Sequence, residues 1–117
     1  MTKWYEKAAE QGNAAAQNKL GSMYFYGQGV KANYIKAAVW YEMAAEQGYT
    51  VAQNNLGYCY EAGIGEWDRK QAVKWYEKAA EQGDADAQNK LGDMYYEGKG
   101  VVQDYKKAVE WYEAALY

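Results

Sequence analysis

The sequence predicts an all-α solenoid, in which repeated pairs of helices stack on one another. The tripeptide Trp-Tyr-Glu recurs at Trp4, Trp40, Trp75 and Trp111, a period of 35 or 36 residues. A fixed period of this length is typical of helical repeat arrays. Three sets of glycines keep the same period: Gly12, Gly48 and Gly83; Gly21, Gly57 and Gly92; and the pairs Gly27/Gly29, Gly63/Gly65 and Gly98/Gly100.

The period arranges the 117 residues as a single repeat domain of about seven helices. Each repeat is a pair of helices, a first and a second. Residues 1–12 form an opening helix that is equivalent to the second helix of a pair, and three complete pairs follow at 13–48, 49–83 and 84–117. The chain has 14 tyrosines and five tryptophans but one phenylalanine. Tyrosine and tryptophan suit a solenoid, because they fill thin layers between helices while keeping a polar tip near water.

The first helix of each pair carries small and apolar residues on one face, as Ala87, Leu91 and Met94 do in the third pair. Asn13 and Asp84 are the expected N-caps of first helices, because their side-chain oxygens accept from free amides of the first turn. In the second pair Tyr49 occupies this position, and we expect Thr50 to take over the cap.

The second helix of each pair is expected to begin after Asn33, Asp68 or Asp104, which are also good N-cap residues. Complete copies end in Ala-Ala-Glu-Gln-Gly. Gly48 and Gly83 are then the residues just past the helix, where a positive φ is accessible to glycine at low cost.

A Gly-x-Gly loop joins the two helices of each pair. We expect its first glycine to end the first helix and its second to turn the chain into the next. The loop is not a phosphate-binding loop, since it lacks a third glycine, a preceding strand and a following lysine-serine pair. In the second pair the loop is one residue shorter and carries Trp67, which either packs locally or is an exposed contact residue.

Gly21, Gly57 and Gly92 fall in the middle of the predicted first helices, where glycine costs about 1 kcal/mol relative to alanine. Their repetition predicts a packing reason. We expect the second helix of each pair to approach too closely for a Cβ atom, with a tryptophan or tyrosine filling the space against each glycine.

The string Ala-Gln-Asn-x-Leu-Gly-x-x-Tyr-x-x-Gly-x-Gly, followed by Lys-Ala-Val-x-Trp-Tyr-Glu-Lys-Ala-Ala-Glu-Gln-Gly, closely resembles the Sel-one-like repeat, a relative of the tetratricopeptide repeat. The match extends over nearly all of residues 4–117. The resemblance implies a right-handed superhelix of antiparallel helix pairs. It also implies a protein that binds other proteins and assembles complexes rather than one that catalyses a reaction.

The chain departs from the family pattern in two ways. Members often have proline after Gly-x-Gly-Val, where this chain has Lys31 and Val102. A secreted branch carries paired cysteines in each repeat, whereas Cys59 is the one cysteine here. We therefore expect Cys59 to be a small core residue. The sequence does not assign a compartment, although a reducing one is compatible with it.

Two features are typical of an engineered or trimmed array. Residues 4–12 and 75–83 are identical, and the chain opens and closes inside second-type helices without a polar capping repeat. A recent natural duplication explains the first feature but not the second. A designed or minimal scaffold without a native ligand is therefore one reading of the sequence.

A partner is expected on one face of the first helices, because positions that bind a partner need not repeat. Three variable columns and a repeated asparagine lie on one helical face, away from the packing face. Alignment with the tetratricopeptide pattern implies that this is the concave face. The predicted binding residues are Asn18, Ser22, Phe25, Tyr26, Asn54, Tyr58, Glu61, Asn89, Asp93, Tyr96 and Glu97. The alternative is that these columns are merely tolerated surface.

The aromatic and acidic character of this face, to which Asp86 contributes, favours a basic or apolar peptide or protein segment. Asparagine side chains hydrogen-bond a peptide backbone. A second interaction is expected at the ends, where exposed apolar residues mark association surfaces. These residues predict end-to-end stacking into homo-oligomers, or a partner that covers an end: Trp4, Tyr5, Trp111, Tyr112, Leu116 and Tyr117.

Composition argues against other function classes. The net charge is −3 and no basic stripe is present, so a nucleic-acid partner is not expected. The sequence contains no run of 18 apolar residues, so a membrane span is not expected. Histidine, the commonest acid/base and metal ligand, is absent. We therefore expect no enzymatic activity, no metal and no cofactor.

Overall fold

A computed structural model of the chain describes residues 2–64 and 68–116, and in these parts it contains seven α-helices and no strand. The predicted all-α repeat fold is thereby confirmed. The Gly65 and Trp67 predictions lie outside the described residues, as does that for Tyr117. The helices are α1 (Thr2–Glu10), α2 (Ala14–Tyr26), α3 (Tyr34–Glu46), α4 (Thr50–Ala62), α5 (Arg69–Glu81), α6 (Ala85–Glu97) and α7 (Tyr105–Ala115).

The helices stack in sequence order into an elongated body of 47 × 27 × 20 Å. In the described parts of the chain, extensive contacts join only consecutive helices. The core is therefore a series of thin layers, one around Leu20, one around Leu56 and one around Leu91, all almost fully buried. Cys59 is buried in the middle layer, as predicted, and burial raises the pKa of its thiol to about 11.

The N-caps of the second helices are confirmed. The Asn33 side chain accepts a hydrogen bond from the Lys36 amide at 3.0 Å, and Asp104 accepts from the Lys107 amide at 3.1 Å. Asp68 accepts from two amides of the first turn of α5. These bonds satisfy donors that have no partner within the helix.

The N-caps of the first helices are confirmed for Asn13, whose side chain accepts from the Ala16 amide at 2.9 Å. The expectation for Thr50 is wrong. Thr50 is the first residue of α4, and its hydroxyl donates to the Gln82 side chain instead. Asp84 occupies the predicted N-cap position, but its carboxylate accepts no cap hydrogen bond. Its stabilising effect is limited to the interaction of a negative charge with the helix dipole.

The Gly-x-Gly loops turn as predicted where the structure describes both glycines. Gly98 is left-handed, with φ 71°, and its amide donates to the Met94 carbonyl, which ends α6. Gly100 also has a positive φ, and a Cβ atom there would lie 2.6 Å from the Arg69 carbonyl oxygen. This glycine is therefore required both by backbone conformation and by the close approach of α5.

The glycines inside the first helices each face a tyrosine of the paired second helix. A Cβ atom would lie 2.8 Å from the Tyr41 ring at Gly21, 2.8 Å from the Tyr76 ring at Gly57, and 2.4 Å from the Tyr112 ring at Gly92. The predicted close approach is confirmed, and the residue that fills it is tyrosine in every pair. We call this contact the glycine–tyrosine wedge.

Hydrogen-bonded glutamine side chains, here called a glutamine chain, link three successive helices. Gln53 is buried in α4 and donates to the Ala45 carbonyl at the end of α3. Its own side-chain oxygen accepts from Gln82, which follows α5, at 2.8 Å. Gln17 makes the same two bonds, donating to Ala9 and accepting from Gln47. Each chain satisfies a buried amide and ties a first helix to both neighbouring second helices.

The wedge predicts the outcome of Gly57→Ala. The added methyl group gains up to about 1 kcal/mol of helix propensity, but it overpacks against the buried Tyr76 ring, and overpacking typically costs about 1–3 kcal/mol. We expect a net loss of stability in urea unfolding. The same substitution in a Tyr76→Leu background, where the ring is absent, should be neutral or stabilising. A stabilised single variant would contradict the wedge.

Candidate functional site: a cleft across the first helices

The first helices α2, α4 and α6 form a cleft of about 240 Å³, which we call the α4 cleft because α4 lies at its centre. Two tyrosines of the wedge reach it from the second helices. Four of the predicted binding residues line it, namely Phe25, Tyr26, Asn54 and Tyr58. The complete lining is Phe25, Tyr26, Tyr41, Asn54, Asn55, Tyr58, Tyr76, Asp86 and Lys90.

One wall of the α4 cleft is aromatic, and Phe25 is at its centre. The Phe25 ring is 4.9 Å from that of Tyr26 and 6.3 Å from that of Tyr58, in edge-to-face arrangements in both cases. Its ring also lies 5.0 Å from that of Tyr34. Phe25 is half-buried against the middle core layer, whereas Tyr26 and Tyr58 are exposed. Phe25 thus anchors two accessible rings.

Asparagines bridge neighbouring first helices along the floor of the cleft. The Asn54 amide nitrogen donates to the Asp86 carboxylate at 2.8 Å, and Asn55 donates to the Asn18 side-chain oxygen at 3.1 Å. The side-chain oxygen of Asn54 is buried and has no hydrogen-bond partner among residues 2–64 and 68–116. A buried acceptor left unpaired costs about 1–3 kcal/mol, and its burial keeps this atom out of direct reach of a ligand while Asn54 bonds to Asp86.

Three predicted binding residues hold the wedge tyrosines. The Tyr41 hydroxyl lies 3.0 Å from Ser22 Oγ, that of Tyr76 donates to Glu61 at 2.8 Å, and that of Tyr112 donates to Asp93 at 2.5 Å. In the second pair the position equivalent to Ser22 and Asp93 is occupied by Tyr58. The partner of the wedge tyrosine is therefore Glu61, one turn farther along α4. These variable positions therefore each have a structural bond.

Burial and the two bonds to carboxylates shift the tyrosine pKa values upward. Burial raises the pKa of Tyr41 to about 12, against a smaller lowering by the bond to Ser22. Burial also raises the pKa of Tyr76, and its bond to the Glu61 carboxylate adds to the effect. For Tyr112 the bond to Asp93 is the main cause of a rise to about 12. All three hydroxyls are neutral at physiological pH.

Lys90 places a positive charge at the cleft. Its ammonium is 3.8 Å from the Glu61 carboxylate and 5.3 Å from the centre of the Tyr58 ring. The sequence reasoning missed Lys90 and Asn55, which occupy the position next to the repeated asparagine. That position reads Lys19, Asn55 and Lys90 in successive repeats, and this variation was the available signal.

The remaining predicted residues lie on α6 and do not line the cleft. Asn89 is exposed, and Tyr96 packs its ring 5.2 Å from that of Tyr105. Glu97 forms an exposed ion pair with Lys99 at 3.4 Å. The predicted face therefore continues past the α4 cleft as an open, acidic and aromatic surface.

Within residues 2–64 and 68–116, no cluster of three or more potential metal-ligating side chains occurs. None of the helices in those parts is both long and apolar enough to cross a membrane.

Comparison with known families gives one match, to the Sel1 repeat, at residues 2–13, 14–49, 50–84 and 85–116. No curated protein matches the chain. Among solved structures, the chain is similar to c5321, described as a protective antigen of uropathogenic Escherichia coli strains that displays an SLR fold. The two are 43% identical over 99% of this chain, with a TM-score of 0.95.

Two further structures are similar. A Sel1 repeat protein from Oxalobacter formigenes is 48% identical over 91% of this chain, with a TM-score of 0.86. Cysteine rich protein B from Helicobacter pylori is 29% identical over 99% of this chain and 89% of its own length, with a TM-score of 0.71. The chain spans 25% of the Escherichia coli protein and 43% of the Oxalobacter protein.

The raised pKa of Tyr41 predicts a loss of stability at high pH. An unfolded tyrosine ionises near pH 10, whereas Tyr41 in the folded chain keeps its proton until about pH 12. Between these values the unfolded state binds fewer protons, so the free energy of unfolding falls as pH rises. One tyrosine accounts for at most about 1.4 kcal/mol per pH unit. Urea unfolding from pH 9 to 12 should show a shallower decline in Tyr41→Phe, and equal slopes would contradict the assignment.

Proposed function

The chain belongs to the Sel1 repeat family, and on this basis we propose that it is a non-enzymatic scaffold that binds a peptide or protein segment along α2, α4 and α6. Sel1 repeat proteins generally mediate protein–protein interactions. The α4 cleft is the centre of the proposed surface, and the exposed residues of α6 extend it. The predicted residues Asn18, Ser22, Asn89, Asp93 and Glu97 are part of the proposal at its edges.

The observation that carries the proposal is an aromatic-walled cleft whose floor holds polar side chains, among them Asn54 bonded to Asp86. A peptide backbone presents an N–H group at every residue other than proline. An extended segment lying over α4 would donate one such group to the exposed Asp86 carboxylate beside Asn54. Its neighbouring side chain would pack against Phe25 and Tyr58. The bound segment thereby gains a hydrogen bond and apolar contact at the same point.

The charges around the cleft favour a basic or apolar segment. Asp86 lines it, Glu61 stands beside it, and Asp93 and Glu97 follow on α6. Lys90 offsets part of this charge, because it lies within 3.8 Å of Glu61. The electrostatic part of the binding energy should weaken as salt is added, while the aromatic part should not.

Tyr58→Ala tests the proposed cleft. Tyr58 is accessible and contributes area on the cleft wall. The ligand is a peptide identified on an array of basic and apolar sequences, and removal of the Tyr58 ring should reduce its binding free energy by about 2 kcal/mol or more. Val109→Ala is the control, since Val109 is an exposed apolar residue on α7 outside the cleft, whereas Tyr105 packs against Tyr96 of the proposed surface. Isothermal titration calorimetry should show a loss for the first variant only.

An array that yields no ligand, with Tyr58→Ala melting as the parent does, would favour a bare scaffold without a native partner. A tight ligand whose affinity is unchanged by Tyr58→Ala would place the binding site on another face.

A second proposal, head-to-tail association, is favoured by the exposure of Trp4. Its side chain is 75% exposed, whereas Trp75, its equivalent in the second pair, is 6% exposed because it packs on the preceding repeat. At the other end Leu116 is exposed as well. An apolar surface at each end makes a heterologous contact between copies, which extends without closing.

Trp4→Ala is expected to reduce this association. Sedimentation velocity at high micromolar concentration should show species heavier than the monomer for the parent and fewer for the variant, because the tryptophan supplies most of the apolar area at its end. A strictly monomeric parent would contradict the proposal.

A further inference from the structure

One apolar stripe lies on α3, outside the α4 cleft. Ile35, Val39 and Met43 are spaced four residues apart, so they cover about 80° of the helix surface and form one ridge about 12 Å long. Their side chains are 62%, 49% and 40% exposed. We call these three residues the α3 stripe.

The repeat fold does not require an apolar stripe at these positions, as the sister helices show. In α5 the equivalent residues are Lys70, Lys74 and Lys78. In α1 they are Lys3 and Lys7, and in α7 they are Lys106, Glu110 and Ala114. Three other helices thus reach the same packing with mainly charged side chains at these positions. The α3 stripe is a property of this one helix, and the stacking of helices does not explain it.

A groove lies on each side of the stripe. The first, of about 160 Å³, runs toward α4 and is floored by Leu56 and Ile64. The second, of about 300 Å³, runs toward α1 and is floored by Tyr24 and Trp40. Val39 lines both grooves. A ridge between two grooves is the surface that another helix packs against, because the side-chain ridges of one helix fill the grooves of its partner.

Charge decides which occupant fits. Glu42 lines the first groove, and Glu6 and Glu10 line the second. None of the three carboxylates forms an ion pair with another described residue. The basic residue at the grooves is Lys36, whose ammonium lies 5.4 Å from the centre of the Tyr24 ring. The apolar stripe therefore has an acidic border on both sides.

A second copy of α3 fits this surface less well. Two-fold antiparallel pairing about Val39 would put Glu42 of both copies on one flank, where no basic residue in the described parts of the chain lines the groove. On the other flank it would put Lys36 with Glu6 and Glu10 of both copies. Like charges brought together in this way oppose pairing. A helix with apolar residues on one face and lysine or arginine on its flanks has no such conflict.

We propose that the α3 stripe and its two grooves form a second docking surface, which binds an amphipathic helix with basic flanks. The stripe packs into the apolar face of that helix, and Glu6, Glu10 and Glu42 pair with its lysine or arginine side chains. The surface is separate from the α4 cleft, so the two sites bind independently.

The test uses the whole chain and a labelled helical peptide of about 15 residues, roughly four turns, with leucines on one face and lysines on both flanks. Fluorescence anisotropy should show saturable binding. Ile35→Gln, Val39→Gln and Met43→Gln together remove the apolar stripe without changing charge, and should weaken binding at least about tenfold. The matched control, Lys70→Gln with Lys74→Gln and Lys78→Gln on α5, should bind the peptide at least as well as the parent. Tyr58→Ala should leave binding unchanged.

A second variant, Ile35→Lys with Val39→Lys and Met43→Lys, copies the α5 pattern and keeps the test usable if the glutamine variant fails to fold. The proposal is overturned if the parent shows no binding up to about 1 mM peptide. It is also overturned if the folded stripe variants bind as the parent does, or if a peptide with glutamates in place of lysines binds equally well. Loss of binding in Tyr58→Ala would move the peptide to the α4 cleft. A parent dimer that the stripe variants abolish would make the occupant a second copy.

Discussion

The packing of a tyrosine ring against a helical glycine sets the distance between the two helices of every repeat. Gly57 leaves no side chain beneath the Tyr76 ring, so the ring is fully buried and its hydroxyl reaches the first helix one turn farther on. There it donates to Glu61, at the edge of the α4 cleft. The contact that holds a helix pair together thus also supplies polar groups to the proposed binding surface.

The sequence was sufficient for the fold because every element of it is repeated. The period, the glycines and Asn33, Asp68 and Asp104 located the helices and their ends. Thr50 was misjudged because its hydroxyl bonds to Gln82, 32 residues away, and a local capping rule cannot include such a partner. Short-range chemistry predicted most of the short-range bonds, and Asp84 is the exception, because its carboxylate accepts no cap hydrogen bond from the first turn of α6.

The sequence located part of the lining of the α4 cleft. Phe25, Asn54 and Tyr58 are among the predicted binding residues, and they line one cleft. Ser22 and Asp93 were predicted in the same way, but their side chains hydrogen-bond the hydroxyls of wedge tyrosines. Position along a helix shows which face a residue occupies, but not whether a hydroxyl from the next helix reaches it. For the same reason the unpaired oxygen of Asn54 is visible only once both neighbouring helices are in place.

The glutamine chains have a consequence for how such a protein changes in evolution. Gln53 and Gln82 belong to one repeat, and the Ala45 carbonyl to which Gln53 donates belongs to the repeat before it. A duplicated repeat therefore carries its own glutamine donors. The end of its second helix also supplies a backbone carbonyl that accepts from the glutamine of the next repeat. In-frame gain or loss of a whole repeat by recombination leaves no junction unsatisfied, so the length of the array can drift while every seam stays chemically the same.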